Sequence, residues 1–350
     1  MLEAYNDFSK FDTIEFEKNP YELLDEIRKE SYYGELCTEI FAGGTVVTER
    51  NFLTGCTNNL PSFRKKTNSF ARYFLEQGYT VEGSHSCYEW FYNRLNVNEN
   101  LGFEKYYFYE NKYSELSNGS IAADNILIPE ILNLYEQGLQ SNKPYFSFNI
   151  TYQNHGPYST EKNYQESYIK IKPEYTEDEV NIFNNYLTGI EDTTKHIYNM
   201  INELRYSDEP VVLILFGDHN PWLGDNNSVY TMLGIELCVD LEEGFYNYYN
   251  TPYIIWANDA AKETLGQDFV GVGPTISPCF LMSEFFELAN YKGNEFMQVN
   301  TELKNTLNIV HRTSRYKENG VITSTLSEKA QETLDKFINI EYYWLNNFKK

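Results

Sequence analysis

Basic residues are scarce in this chain. Lys and Arg number 28 against 51 Asp and Glu, a formal charge of −23, which argues against a surface that neutralises a phosphate backbone and so against nucleic acid as a partner. Cysteine is equally thin. Cys37, Cys56, Cys87, Cys238 and Cys279 are odd in number, widely spaced and without a CxxC pair, which fits neither a disulfide framework nor a zinc ribbon. Long apolar runs are missing too: the longest, Val211 to Phe216, is far short of the ~20 residues that cross a bilayer. No basic-then-apolar leader opens the sequence. Repeats and low-complexity linkers are absent, and 41% hydrophobic residues with only 11 prolines are not the composition of a disordered segment.

What remains is a chain of 350 residues, long enough for one large α/β domain or two smaller ones. Strand and helix patterns alternate, which favours α/β over a bundle or a sandwich. Asn19 and Pro20 open a helix expected to stop at Gly34, and a strand is expected over 36–41. Gly43-Gly44-Thr45 leads into a short helix closed by Gly55, and helices are predicted over 67–77 and 124–139 with strands at 79–82 and 145–152. The strongest helical signal is the spacing of Val180, Phe183, Leu187, Ile190, Thr194, Ile197, Ile201 and Leu204, which share one face. Val211 to Phe216 reads as a central strand buried on both faces. A strand at 253–256, a helix at 277–288 and, in the last 50 residues, an edge strand or loop followed by a helix from Ser327 complete the layers.

An open α/β sheet places its chemistry just past the carboxyl ends of its strands, and three segments qualify. Gly217-Asp218-His219 sets a carboxylate and an imidazole at the end of the best strand, where both can reach one ion; the alternative is an Asp capping a turn beside a hydrogen-bonded His. Phe41 to Glu49 offers glycines for close approach and a hydroxyl at a helix start, where an anion is favoured; the alternative is Thr45 or Thr48 as a plain N-cap. Asn154-His155-Gly156-Pro157 follows another strand, so His155 is either a general acid or base or an ordinary loop histidine. His196 and His311 read as structural, and His85 stays open.

Taken in order, Leu-Glu-Ala-Tyr at 2–5, Gly-Gly-Thr-Val-Val-Thr-Glu at 43–49, Asn-His-Gly-Pro-Tyr at 154–158 and Phe-Gly-Asp-His at 216–219 resemble the lipoteichoic acid synthase type of phosphoglycerol transferase, in the sulfatase/alkaline phosphatase superfamily. The resemblance runs from Leu2 to about Leu288. It implies a mostly parallel central sheet flanked by helices, with a catalytic domain over 1–290 and a small α+β extension over 291–350. It also implies one divalent ion, usually Mn2+ with Mg2+ or Zn2+ as alternatives, held by Glu3, Thr45, Asp218 and His219. Thr45 is then the nucleophile and His155 the substrate-contacting histidine.

The segment His85 to Arg94 resembles the glycerol-phosphate pocket, with Arg94 toward the phosphate and His85 and Tyr92 toward the glycerol hydroxyls. Two residues depart from that pattern: Cys87 stands where an Asp is typical and Tyr92 where a Trp is typical, so the transferred group and its acceptor stay open. The implied donor is a phosphatidylglycerol-like lipid, and the implied acceptor is a glycolipid, a polyglycerol phosphate or a polysaccharide. In the family the metal-ligand Glu ends a central strand that follows a membrane-embedded module. Neither lies ahead of Glu3 here, so the expectation is a longer natural protein at the outer face of a bacterial cytoplasmic membrane.

Two other enzymes and one non-enzyme compete with this reading. A sulfatase proper needs a Cys/Ser-x-Pro-x-Arg segment, which is absent, and a phosphoethanolamine transferase usually carries extra zinc ligands and disulfides. A degenerate, glycan-binding domain is the non-catalytic alternative.

Overall fold

The computed structural model describes residues 1–57 and 61–348. The longer helices are α1 (Glu22–Lys29), α2 (Val46–Thr54), α3 (Phe70–Glu76), α4 (Arg94–Leu101), α5 (Asp124–Leu139), α6 (Glu177–Leu204), α7 (Leu281–Leu288), α8 (Glu295–Thr306) and α9 (Glu328–Asn346). The strands are β1 (Ser31–Cys37), β2 (Thr80–His85), β3 (Lys105–Tyr107), β4 (Tyr145–Ile150), β5 (Val212–Phe216), β6 (Asn250–Ala257), β7 (Gly271–Val272), β8 (Leu307–His311), β9 (Arg315–Glu318) and β10 (Val321–Thr323).

These strands form a parallel sheet ordered β3-β2-β4, a mixed sheet ordered β5-β6-β1-β7 and a small antiparallel sheet ordered β10-β9-β8. The first two are joined by the N-terminal residues. Met1 donates its amine to the Asn149 carbonyl and accepts from the Thr151 amide, while Leu2 donates to Phe216 and accepts from Asp218. Residues 1 and 2 therefore sit one strand wide between the end of β4 and the end of β5. Behind them, β4 and β5 flank an apolar cavity of about 430 Å³ whose walls include Phe74, Ile131, Met200 and Phe285.

Helices cover both faces. On one, α2, α3, α7, α8 and α9 share a core with Phe148, Phe216 and Ile255; on the other, α1 and α6 pack Leu24, Ile27, Phe183, Leu187, Ile190 and Ile201 against Leu215 and Ile254. The side chains of Phe296, Leu307 and Phe337 join the first of these cores. The helix expected over 180–204 is α6, started by the reciprocal cap of Thr176 and Glu179.

Three expectations change. The strand expected over 36–41 is β1, Ser31–Cys37, and residues 38–41 lie past its end. The first helix ends at Lys29, and Gly34 lies inside β1, where a Cβ would stand 2.6 Å from the Tyr253 hydroxyl; this glycine serves close strand packing and does not stop a helix. Strand β5 is the edge of its sheet rather than a strand buried on both faces, and Val212, Leu213 and Ile214 are half-buried beside the cavity.

A buried acid in this frame makes stability depend on pH. Glu39, after β1, accepts from the Arg312 amide at 2.7 Å and lies 3.7 Å from His311 Nε2. Burial pushes its carboxyl up to about 7 and the His311 imidazole down to about 4. A raised carboxyl pKa gives stability that is complete below pH 4.5 and lost as pH rises through about 7. Urea unfolding from pH 4.5 to 7 should show the native chain losing about 3 kcal/mol relative to Glu39→Gln. Parallel curves for the two proteins would contradict this assignment.

Candidate active site

The loop before α2 is built for close approach. Ala42, Gly43 and Gly44 all have positive φ, a run that glycine makes accessible, and Gly55 closes the helix in the left-handed region. Thr45 precedes the first helical residue, yet its side chain makes no cap hydrogen bond. Its Oγ1 instead lies 3.3 Å from Glu3 Oε2 and 3.4 Å from His219 Nε2. Thr48, the other candidate cap, donates to the Asp218 carbonyl at 2.7 Å and ties α2 to the end of β5.

Asp218 and His219 follow β5 directly. Asp218 Oδ1 accepts from the Ala4 and His219 amides, each at 2.8 Å, which leaves Oδ2 buried with no partner. His219 Nδ1 stands 3.0 Å from the Asn220 carbonyl, as an N–H donor would, so Nε2 faces inward, 3.3 Å from Asp218 Oδ2 and 3.5 Å from Glu3 Oε1. Glu3 is fixed through its amide, which donates to Thr151 Oγ1 at 2.9 Å. Burial first and the Asp218 charge second push the Glu3 carboxyl well above the usual range. Two buried carboxylates and an inward imidazole nitrogen, with one carboxylate oxygen unpartnered, suit a divalent cation, and Glu3, Asp218 and His219 do converge closely enough to hold one. The backbone bond at Nδ1 fixes the ring orientation that such ligation requires.

The sulfatase family profile matches residues 7–291. The chain belongs to the sulfatase family. Two solved structures share its fold: the Streptococcus pyogenes phosphoglycerol transferase GacH, in complex with sn-glycerol-1-phosphate (TM-score 0.76, 20% identity, 99% of this chain and 84% of that one), and the Listeria monocytogenes lipoteichoic acid synthase LtaP (TM-score 0.69, 16% identity, 99% and 91%). A Rhizobium meliloti (strain 1021) protein assigned to cyclic beta-1,2-glucan modification is 26% identical over 307 residues, 83% of this chain. The chain spans only 45% of that protein's length.

At this cluster, Glu3 and His219 open onto a cavity of about 580 Å³ that His155 and Trp222 also line. His155 is exposed, stacks on Tyr152 at 4.9 Å and directs Nδ1 to the Gly156 carbonyl at 2.6 Å. The second predicted group does not line this cavity and meets α2 through Glu49. Arg94 is buried and grips Glu49 through Nε at 3.0 Å and Nη2 at 2.9 Å, while Nη1 has no partner. His85 is buried with Nδ1 on the Ile150 carbonyl, and burial, then Arg94, holds it well below its usual pKa and therefore neutral. Cys87 is buried and its thiol is pushed up by burial. Tyr92 is half-exposed at φ 56, with the Arg94 guanidinium 5.2 Å from its ring.

Glu49 was visible only as a first-turn acid; that it pairs with a residue 45 positions away has no local signal. Thr151 and Asn220 had none either, since one acts through a strand-end hydroxyl and the other through its carbonyl. Breaking the pair with Glu49→Gln leaves a buried guanidinium uncompensated. Denaturant unfolding should then show a loss of about 3–5 kcal/mol, and a loss below about 1 kcal/mol would show that the pair is water-screened.

Proposed function

We propose that this chain is a metal-dependent phosphoglycerol transferase that takes its group from a phospholipid head group through a phosphothreonine intermediate. The observation that carries this reading is the Thr45 hydroxyl, free of any capping role and held between Glu3 and His219, whose Nε2 is in turn 3.3 Å from the unpartnered Asp218 oxygen. A dication, Mn2+ by resemblance and Mg2+ or Zn2+ by the same donor set, would lower the pKa of that hydroxyl and polarise the phosphoryl oxygen when held by Glu3, Thr45, Asp218 and His219.

In the first half-reaction Thr45 Oγ1 forms a bond to phosphorus and the bond from phosphorus to the diacylglycerol oxygen breaks. The hydroxyl proton, made acidic when the dication is held, leaves to solvent through the open cavity, and the leaving oxygen takes a proton from His155, which lines the same cavity. In the second half-reaction an acceptor hydroxyl gives its proton to His155 while its oxygen bonds to phosphorus, and the bond from phosphorus to Thr45 Oγ1 breaks, which returns Thr45 to the deprotonated form in which it attacked and His155 to its protonated form. Arg94 presents its one uncommitted nitrogen, Nη1, to the phosphate, and neutral His85 and Tyr92 bond the glycerol hydroxyls. A polysaccharide or glycolipid acceptor suits the exposed Trp222 indole on the cavity wall and the glucan-modification assignment of the Rhizobium meliloti relative. The site works at the outer face of the cytoplasmic membrane.

One observation favours a second reading. Asp178, Glu179 and Asp225 line the cavity, and an acidic wall suits a cationic head group, so phosphoethanolamine is the alternative cargo. Incubating the Mn2+-loaded chain separately with phosphatidylglycerol and phosphatidylethanolamine tests both. Diacylglycerol release from the former, with a glycerophosphoryl adduct on the Thr45 peptide, is the expected result. Release from phosphatidylethanolamine alone replaces the cargo, and neither metal retention nor an adduct leaves only the non-catalytic, glycan-binding role.

A further inference from the structure

Beside the Arg94 wall lies a surface unlike the rest of this acidic molecule. Trp90, Tyr92 and Leu95 are 66%, 37% and 44% exposed. Their rings are continuous: Tyr88 stacks on Trp90 at 5.6 Å, Trp90 meets Phe91 at 5.9 Å and Phe91 meets Tyr92 at 4.4 Å. The turn that presents them is forced, since Tyr92 and Asn93 both adopt left-handed φ, a conformation that side-chain-bearing residues hold at a cost and that marks functional segments. Arg50, one residue past Glu49 on α2, donates to the Tyr92 carbonyl at 3.3 Å and lies 5.2 Å from the Phe63 ring.

Phe63 leads into Arg64-Lys65-Lys66, the one run of three consecutive basic residues in the sequence. This segment is fastened to the end of α4, where Asn100 donates to the Phe63 carbonyl at 2.9 Å and the Thr67 amide donates to Asn100 at 3.0 Å. All three basic side chains are exposed, and among the described residues neither they nor Arg50 form an ion pair. Glu89, Glu99 and Glu110, whose Oε2 accepts from the Glu89 amide at 3.0 Å, are the acids beside this face, so four cations meet three carboxylates in a chain whose total is −23.

We propose that this face docks on an anionic lipid bilayer, with Trp90, Phe91, Tyr92 and Leu95 entering the head-group zone and Arg50, Arg64, Lys65 and Lys66 meeting lipid phosphates. The chemistry is that of interfacial anchoring: amphipathic aromatic rings settle at the boundary, and cations within a Debye length draw it close. The −23 charge is screened beyond about 8 Å at physiological salt, so the local cations decide the encounter. The inference rests on the transferase reading for its purpose: Tyr92 touches Arg94, Arg94 grips Glu49, and Glu49 lies one turn from Thr45, so a docked face brings a head group to the nucleophile without full extraction of the lipid.

Co-sedimentation at physiological salt, with vesicles of mixed phosphatidylglycerol and phosphatidylcholine against pure phosphatidylcholine, tests it. The native chain and Thr45→Ala should both bind the anionic vesicles. Arg64→Ser with Lys65→Ser and Lys66→Ser should weaken binding by about a hundred-fold, and Trp90→Ser with Leu95→Ser by about ten-fold. The Arg64, Lys65 and Lys66 variant, which lies outside the His85–Arg94 segment, should keep turnover of a short-chain, monomeric phosphatidylglycerol. Binding without turnover sinks the transferase reading and leaves the docking face standing. Turnover without binding, equal binding to neutral vesicles, or binding untouched by either variant overturns the docking face. Retention on an immobilised acidic protein but not on vesicles would overturn it in favour of a protein partner.

Discussion

Thr45→Ala should remove transfer almost completely, with kcat down on the order of 10⁴-fold, while the fold stays intact. The expectation follows from what the hydroxyl does and does not do. It makes no cap bond to α2, so its loss should change stability by less than about 1 kcal/mol. Its contacts are to Glu3 and His219, so what is lost is the atom that attacks phosphorus, and a missing nucleophile is not replaced by the rest of the site. Thr45→Ser keeps an oxygen at the same position and should retain activity within about a hundred-fold. The discriminating readout is the covalent adduct, present in the native and Ser chains and absent in the Ala chain. Full turnover by Thr45→Ala would move the nucleophile elsewhere.

Asp218→Asn is the second large effect, and its signature is a split between metal and fold. The Asn oxygen can still accept from the Ala4 and His219 amides, so the turn after β5 should survive. The group facing the site becomes an uncharged amide, and Mn2+ affinity, measured by equilibrium dialysis, should fall by at least about a hundred-fold. The metal-free variant should be as stable as the metal-free native chain or more so, because the Asp218 charge is one of the causes that holds the Glu3 carboxyl up. Conversely, Mn2+ should raise the melting temperature of the native chain in proportion to the logarithm of its concentration and leave Asp218→Asn unmoved. A variant that loses stability without losing metal would make Asp218 a structural residue.

Much of this was legible in the sequence where chemistry and local pattern coincide. The Asp218-His219 pair stood out because it ends an apolar run, and α6 because eight apolar or small residues share one face of it. The first helix was misjudged because Gly34 is a strong stop signal locally, while its reason for being glycine, the Tyr253 ring on the neighbouring strand, is more than 200 residues away. Strand β5 misled in the same manner: composition records that its residues are apolar but not that one flank meets a cavity. Within the site, the sequence showed Glu49 and Arg94 separately. Only the fold shows that the fork of Arg94 is already two-thirds committed to Glu49, which leaves one nitrogen for a ligand.

The two residues that join β4 to β5 set a further condition on the metal site. Successive residues of a strand point to opposite faces, so Glu3 reaches Asp218 and His219 only while Leu2 is bonded to Phe216 and Asp218 as observed. A slip of that short stretch by one residue would swap the carboxylate for the side chain of Leu2 or Ala4, neither of which can bind an ion. Mutations or solvents that loosen residues 1 and 2 should therefore weaken the apparent metal affinity in proportion to the fraction of molecules still in the observed register, with one ion per chain recovered at saturating metal.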